Sequence, residues 1–187
     1  MRSTLMKDQD FIETTISRQE LFKGKIIDLV VDQVRLPSGE SSTRELIFHS
    51  GAVALLALTN EEEIILVKQY RKPLEQVMLE IPAGKIDETD SHHWETAKRE
   101  LEEETGYQAE NLDFLMSFAT SPGFANEVIH LYRAEGLIKV ENPLPQDEDE
   151  LIELCYFDLT TAKDLIKTGK ITDAKTILAI QYWELNQ

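Results

Sequence analysis

Between Arg99 and Tyr107 the chain reads Arg-Glu-Leu-Glu-Glu-Glu-Thr-Gly-Tyr. On a helix Glu100, Glu103 and Glu104 stand at i, i+3 and i+4, so their carboxylates share one face. Ala97 and Leu101, four apart, form with Trp94 an apolar stripe turned toward a core. Glu95 and Glu102 are expected to point elsewhere, to solvent. Like charges at this spacing repel by roughly a few tenths of a kcal/mol per exposed pair. A divalent cation reverses the sign of that interaction, and oxygen-only ligands at this density suit Mg²⁺ or Mn²⁺. The alternative is a solvated acidic face on a surface helix. The preceding segment, Leu79-Glu80-Ile81-Pro82-Ala83-Gly84-Lys85-Ile86-Asp87, reads as a strand ending in a Pro/Gly loop that feeds the helix. Framed by Gly84 and Gly106, that loop brings backbone carbonyls beside the carboxylates, and the carbonyl oxygen of Ala83 would complete an oxygen-lined site.

The elements that must hold such a site follow from the hydropathy pattern. Leu36-Pro37-Ser38-Gly39-Glu40 is a turn within a β-rich stretch from Glu13 to Phe48. That stretch is meander-like and too thin to bury both faces alone, so it must pack on the rest of the chain or on another subunit. Gly51–Thr59 is a continuous apolar run of strand length, the pattern of a strand covered on both faces. Asn60–Glu63 reads as a hairpin loop, and Ile64–Tyr70 and Val77–Ile81 as further strands. Trp94–Thr105 is rich in strong helix formers and is closed by Gly106. Strands over Leu112–Ala119 and Glu127–Arg133 flank a Ser121-Pro122-Gly123 turn. The acidic loop Glu141–Glu150 leads to a strand at Leu151–Phe157, and two helices follow, Thr161–Thr168 and Asp173–Leu185. Strands, helix, strands and helices in that order predict an α/β (α+β) fold, a mixed sheet with helices packed on it.

Composition bounds the function. The 187 residues carry 35 Asp and Glu against 19 Lys and Arg, a formal net charge of -16. That balance excludes a nucleic-acid binder, which needs clustered Lys and Arg, and an anionic membrane surface as partner. No apolar run reaches the roughly 18–20 residues that span a bilayer, and the start, MRSTLMKDQDF, lacks a secretory h-region; a cytoplasmic protein is expected. The one cysteine, Cys155, excludes an intramolecular disulfide framework and a thiolate metal site. His92 and His93 read as a solvated helix entry rather than a metal or stacking cluster.

The stretch from Gly84 to Tyr107 resembles the Nudix box, G-x5-E-x7-R-E-U-x-E-E-x-G-U with U a bulky apolar residue. Gly84, Arg99, Glu100, Leu101, Glu103, Glu104, Gly106 and Tyr107 match; Asp90 stands at the first Glu, and one extra residue precedes Arg99. The resemblance extends over nearly the whole chain, to the ADP-ribose pyrophosphatase branch of the Nudix hydrolases. It implies an α/β/α sandwich with a mixed sheet over 49–187, preceded by an antiparallel β arm over 1–48 that exchanges between the subunits of a homodimer.

For the site, the resemblance implies Mg²⁺, with Mn²⁺ as a substitute, held by Glu100, Glu103, Glu104 and the Ala83 carbonyl. The substrate it implies is ADP-ribose or a related nucleoside diphosphate, cleaved to AMP and ribose 5-phosphate in the first case. Glu148 and Glu150 match an E-x-E pair that supplies the general base and an extra metal ligand, Glu148 as base and Glu150 beside the metal. Arg99 orients the glutamates by a charge-assisted hydrogen bond and counts with Glu103 and Glu148 among the catalytic residues. Arg44-Glu45 and Arg71 match substrate-binding positions, Arg71 and Arg44 being candidates for holding the diphosphate. Ser121-Pro122-Gly123 carries the proline that marks ADP-ribose hydrolases, fifteen residues after Tyr107. Phe22 in the arm is a candidate for holding adenine, with hydrophobic packing as its alternative.

Overall fold

The computed structural model describes residues 7–87, 90–146 and 151–186. The chain divides into two compact units, one formed by the first fifty residues with Ala119–Glu127, the other by Gly51–Phe118 and Val128–Gln187.

In the first unit β1 (Thr14–Lys23), β2 (Ile27–Arg35) and β3 (Ser41–His49) form an antiparallel sheet in the order β1-β2-β3. The Leu36–Glu40 turn joins β2 to β3 through Leu36 N–H to the Glu40 carbonyl at 2.8 Å and Gly39 N–H to the Leu36 carbonyl at 2.9 Å. The central strand is the only one with buried side chains: Val30, Asp32 and Val34. Asp32 is 1% exposed, and a buried charge must be paired. Arg18 donates to it through Nε at 2.7 Å and Nη2 at 2.8 Å, and the Thr15 hydroxyl at 3.0 Å. Every residue of β1 is exposed, Ile16, Leu21 and Phe22 included. The segment Ala119–Glu127 is fastened to β3: Ile47 N–H bonds the Phe124 carbonyl at 2.8 Å, and Asn126 N–H bonds the Ile47 carbonyl at 3.2 Å.

The second unit has two sheets. One runs β10-β5-β6, from β5 (Ile64–Arg71), β6 (Gln76–Glu80) and β10 (Glu153–Phe157), all antiparallel. The other runs β7-β4-β9-β8, from β4 (Ala52–Ala57), β7 (Ala83–Lys85), β8 (Tyr107–Ala119) and β9 (Val128–Lys139). It is mixed, β4 lying parallel to β9 and antiparallel to β7. The turn after β4 leads not into a simple hairpin but from one sheet to the other, with Leu58 and Ile64 making the single bridge. The alternation along β4 explains its unbroken apolar run. Val53, Leu55 and Ala57 join a core with Ala97 and Leu101 of α1 (His93–Thr105). Ala54, Leu56 and Leu58 join a second core with Ala162 of α2 (Leu159–Lys167) and Ala179, Ile180 and Trp183 of α3 (Ala174–Leu185). A strand sandwiched between helical layers cannot carry polar residues on either face. No helix among the described residues is long and apolar enough to cross a membrane.

Each helix has a defined start and end. Glu95 reaches back to the Ser91 and His92 amides at 3.0 and 3.2 Å, capping α1 rather than facing solvent. Gly106, at φ +72°, closes α1 in the left-handed conformation with its N–H on the Glu102 carbonyl at 2.8 Å. Asp158 and Asp173 cap α2 and α3 by accepting the Thr161 and Thr176 amides. Trp94 departs from the expected core stripe. It is 42% exposed, because at the first turn of α1 its ring lies under the Lys98 ammonium, 4.8 Å from the ring centre, while Ala97 and Leu101 fill the core.

Candidate active site

The carboxylates of α1 meet the β7 segment. Glu104, buried, accepts the Ala83 N–H at 2.9 Å. Glu100 lies over Gly84: a Cβ at that position would sit 1.9 Å from the Glu100 Cδ and closer than 2.5 Å to both its oxygens. A side chain at this position would displace the Glu100 carboxylate, and Gly84 is the place where strand β7 and helix α1 come together. The segment expected to be a loop is itself a short strand on β4, with Ala83 opposite Ala54 and Gly84 opposite Val53.

Arg99 stands between the carboxylates. Its Nη1 donates to Glu100 at 2.8 Å and to Glu103 at 2.7 Å, and its Nη2 to Asp90 at 3.4 Å and the Lys85 carbonyl at 3.5 Å. Burial opposes the charge on Arg99, but Glu100 and Glu103 outweigh it and hold its pKa above the ordinary value. Asp90 anchors the loop before the helix by accepting the Thr96 hydroxyl at 2.8 Å and the Asp87 amide at 3.2 Å. Burial works against ionisation of Asp90, and the hydrogen bonds from Thr96 and Asp87 nevertheless keep its carboxyl below the usual range. Glu102 is not free in solvent; it accepts the Gln108 amide at 2.7 Å and the Leu144 N–H at 3.1 Å.

The donor chemistry fits a hard divalent cation. Two carboxylates converge on one backbone stretch, a third lies one turn away, and the cradle over Gly84 exists only because no side chain fills it. Among the described residues no three His, Cys, Asp or Glu side chains surround a common point; Arg99 and the Ala83 amide bond the carboxylate oxygens. A cavity of about 650 Å³ opens beside Glu103 and Glu104, lined by Gly106, Lys139, Pro143 and Gln146 among others. Glu148 and Glu150 lie outside the described residues, two and four positions beyond Gln146.

Arg71, at the end of β5, is bound side-on by Glu80, with Nε donating at 2.7 Å and Nη2 at 2.9 Å. Glu80 also accepts from Lys175 at the start of α3. Neither Glu80 nor Lys175 was singled out by sequence; the available signal was a charge inside the apolar run Val77-Met78-Leu79-Glu80-Ile81, which a buried strand tolerates only with a partner. Arg44, on β3 in the first unit, is bound by Glu13, through Nε at 2.9 Å and Nη2 at 2.5 Å. Glu45 beside it is exposed, and Phe22 is exposed on β1. Ser121, Pro122 and Gly123 form a turn closed by Phe124 N–H on the Ser121 carbonyl at 3.1 Å, in the same unit as Arg44.

Comparison with known proteins accords with this organisation. The NUDIX domain family matches residues 48–180, and the nucleoside diphosphate sugar hydrolase N-terminal domain matches 13–47. The chain is 51% identical over 177 residues to the methanol dehydrogenase activator of Bacillus methanolicus, covering 95% of each protein. It is 49% identical over 175 residues to the ADP-ribose pyrophosphatase of Bacillus subtilis (strain 168), covering 94% of each. A crystal structure of an ADP compounds hydrolase superposes with a TM-score of 0.80 at 22% identity, covering 94% of this chain and 95% of that one, a likeness of fold.

Proposed function

The chain belongs to the Nudix family, and from that premise we propose that it is an ADP-ribose pyrophosphatase, a divalent-cation-dependent hydrolase that yields AMP and ribose 5-phosphate. The observation that carries the reaction class is the α1 carboxylate set, with Glu104 bonded to Ala83 and Glu100 laid over Gly84. The substrate is supported by the relative named for that activity, which the chain matches over 94% of its length.

The residues that would hold the metal are Glu100, Glu103, Glu104 and the Ala83 carbonyl oxygen, with Glu150 associated and Mg²⁺ as the ion, Mn²⁺ substituting. Bound there, a divalent cation neutralises diphosphate oxygens and lowers the pKa of a water. The chain's own groups do the rest. Arg99 orients Glu100 and Glu103, and Glu148 takes the proton from the attacking water. Arg71 holds the diphosphate, because pyrophosphate cleavage is mostly positioning and charge stabilisation. Arg44, Glu45 and the Ser121–Gly123 turn contact the flanking groups of the substrate, and Phe22 stacks on adenine.

A homodimer is part of the same reading. It is supported by a first strand whose whole length is exposed, Ile16, Leu21 and Phe22 included; an apolar edge of that kind invites pairing. The reading places the enzyme in the cytoplasm. The test is a substrate panel with Mg²⁺ and with Mn²⁺, read by product identity. AMP and ribose 5-phosphate from ADP-ribose, abolished in Glu103→Gln, are expected. Absence of AMP, with Glu103→Gln and wild type behaving alike, overturns the reading, and preferential cleavage of a nucleotide sugar moves the substrate to the class named by the N-terminal domain match.

A second reading is favoured by the relative at 51% identity, named as an activator of methanol dehydrogenase. It predicts that the chain raises the rate of such a dehydrogenase when added to it, and a dehydrogenase assay with and without the chain decides it.

A further inference from the structure

Arg71, Glu80, Lys175 and Asp173 form one chain of charges joining β5, β6 and α3. The Glu80 side chain is 3% exposed and Lys175 11%, whereas Arg71 at the outer end is 40% exposed. Glu80 uses Oε1 for Arg71 Nε and Oε2 for Arg71 Nη2, and the same Oε2 accepts from the Lys175 ammonium. Lys175 in turn lies 3.1 Å from Asp173, which caps α3. The side-on grip on Nε and Nη2 leaves the far edge of the guanidinium, Nη1 and the second Nη2 proton, without a hydrogen bond to the described residues. The charges of Glu80, Glu104 and Asp173 all favour the ionised guanidinium and hold the Arg71 pKa above its ordinary value.

Lys175 balances the charge of this group. With it, two cations and two carboxylates sum to zero, and Glu80 is held by three hydrogen bonds. Without it the group carries one net negative charge in a place water screens poorly. The second lone pair of a buried carboxylate oxygen is then unsatisfied, and the simplest remedy is for Arg71 to turn further onto Glu80. A guanidinium consumed by its own carboxylate is lost to an incoming anion. We propose that Lys175 is a positioning residue: by occupying Oε2 of Glu80 it keeps that carboxylate side-on to Arg71 and the outer N–H groups of Arg71 aimed at the substrate diphosphate. This rests on the reading of Arg71 as a diphosphate-binding residue.

The experiment is a double-mutant cycle of Lys175→Met and Arg71→Ala, read as KM and kcat with ADP-ribose and as calorimetric affinity for ADP-ribose. Loss of an interaction made equally in ground and transition states raises KM and spares kcat. Lys175→Met is expected to raise KM about tenfold with kcat within about twofold; Lys175→Arg restores most of it, and Lys175→Met adds nothing in the Arg71→Ala background. A KM at the wild-type value in a Lys175→Met protein that melts early shows a structural brace only and overturns the proposal. Additive effects of the two substitutions overturn it as well. Where Lys175→Met does not fold, Glu80→Gln severs the same link from its other end and is expected to reproduce the KM rise. If the wild type turns over a different nucleoside diphosphate derivative, the ADP-ribose reading fails, and the same cycle run on that substrate decides Lys175 independently.

Discussion

The carboxylate of Glu100 rests directly on the Cα of Gly84, so that a Cβ there would lie 1.9 Å from its Cδ. No rotamer of an alanine avoids a Cβ, so Gly84→Ala must push Glu100, or the β7 strand, aside. Overpacking of this kind costs about 1–3 kcal/mol, a tolerable loss for a domain of this size. The effect on chemistry is expected to be far larger, because a displacement of about 1 Å at a reacting group costs on the order of 10²-fold in rate. Gly84→Ala is therefore expected to fold, to melt a few degrees lower, and to lose at least that factor in turnover. A variant with near wild-type turnover shows that Glu100 is not needed where it lies.

If Glu100 and Glu103 hold the divalent cation of the proposed reaction, Arg99 competes with it for them. The Nη1 of Arg99 donates to both Glu100 and Glu103. Hydrogen bonds to charged groups contribute about 1.5–3 kcal/mol when removed. Arg99→Met is expected to lower the melting temperature in a chelator by several degrees, since one kcal/mol corresponds to roughly 2–4 °C at this chain length. Addition of Mg²⁺ should then raise the melting temperature of Arg99→Met more than that of wild type, because metal replaces a counter-charge that only the variant lacks. Equal metal shifts in the two proteins, measured by thermal scanning, contradict the competition.

What could be read from sequence was local and periodic. The i, i+3, i+4 spacing put Glu100, Glu103 and Glu104 on one face, and the unbroken run Gly51–Thr59 announced a strand buried on both sides. Fixed spacing cannot show which neighbours a side chain acquires from elsewhere in the chain. Glu95 and Glu102 looked like solvated charges, but each is engaged by backbone amides reached only once the loops at 91–92 and 144 are in place. Trp94 fits the helical stripe by period, yet it sits in the first turn of α1, past the edge of the core that Ala97 and Leu101 fill. The Glu80–Lys175 contact joins residues 95 apart in sequence, and no pattern within either segment could pair them.

The His130 ring stacks on that of His93 with centres 3.7 Å apart and shares a 2.7 Å hydrogen bond with the Ser117 hydroxyl. Burial, and then the charge of His93, hold His130 below its ordinary pKa. The unfolded chain takes up this proton near pH 6.5, and the folded chain only at a lower pH. Between those two values the unfolded state binds more protons, so stability falls as pH falls and levels off once the folded value is passed. His130→Gln removes the titration. The stability advantage of wild type over His130→Gln is expected to be greatest at pH 7 and above and to shrink as pH is lowered below about 6.5. Melting temperatures of both proteins across that range provide the check, and parallel curves refute it.

Thr176 is fully buried, and its hydroxyl does two things at once. It accepts the Ile81 N–H at 2.8 Å and donates to Asp173 at 2.6 Å. Ile81 is itself fully buried, so its amide has no access to water if that acceptor is lost. Thr176→Val keeps the shape of the side chain and removes only the oxygen. The orphaned amide should destabilise the fold by about 1–3 kcal/mol, a drop of roughly 2–12 °C in melting temperature. Thr176→Ser retains the oxygen and should recover most of that loss, apart from the missing methyl. The same amide fixes the end of β6 two residues before Ala83, whose N–H holds Glu104. A second, smaller consequence follows: Thr176→Val is expected to lower turnover several-fold at a temperature where it remains folded, while Thr176→Ser does not. If Thr176→Val melts with wild type, the Ile81 amide has found another acceptor, and the bond between α3 and the site-bearing strand carries no weight in holding Ala83 in place.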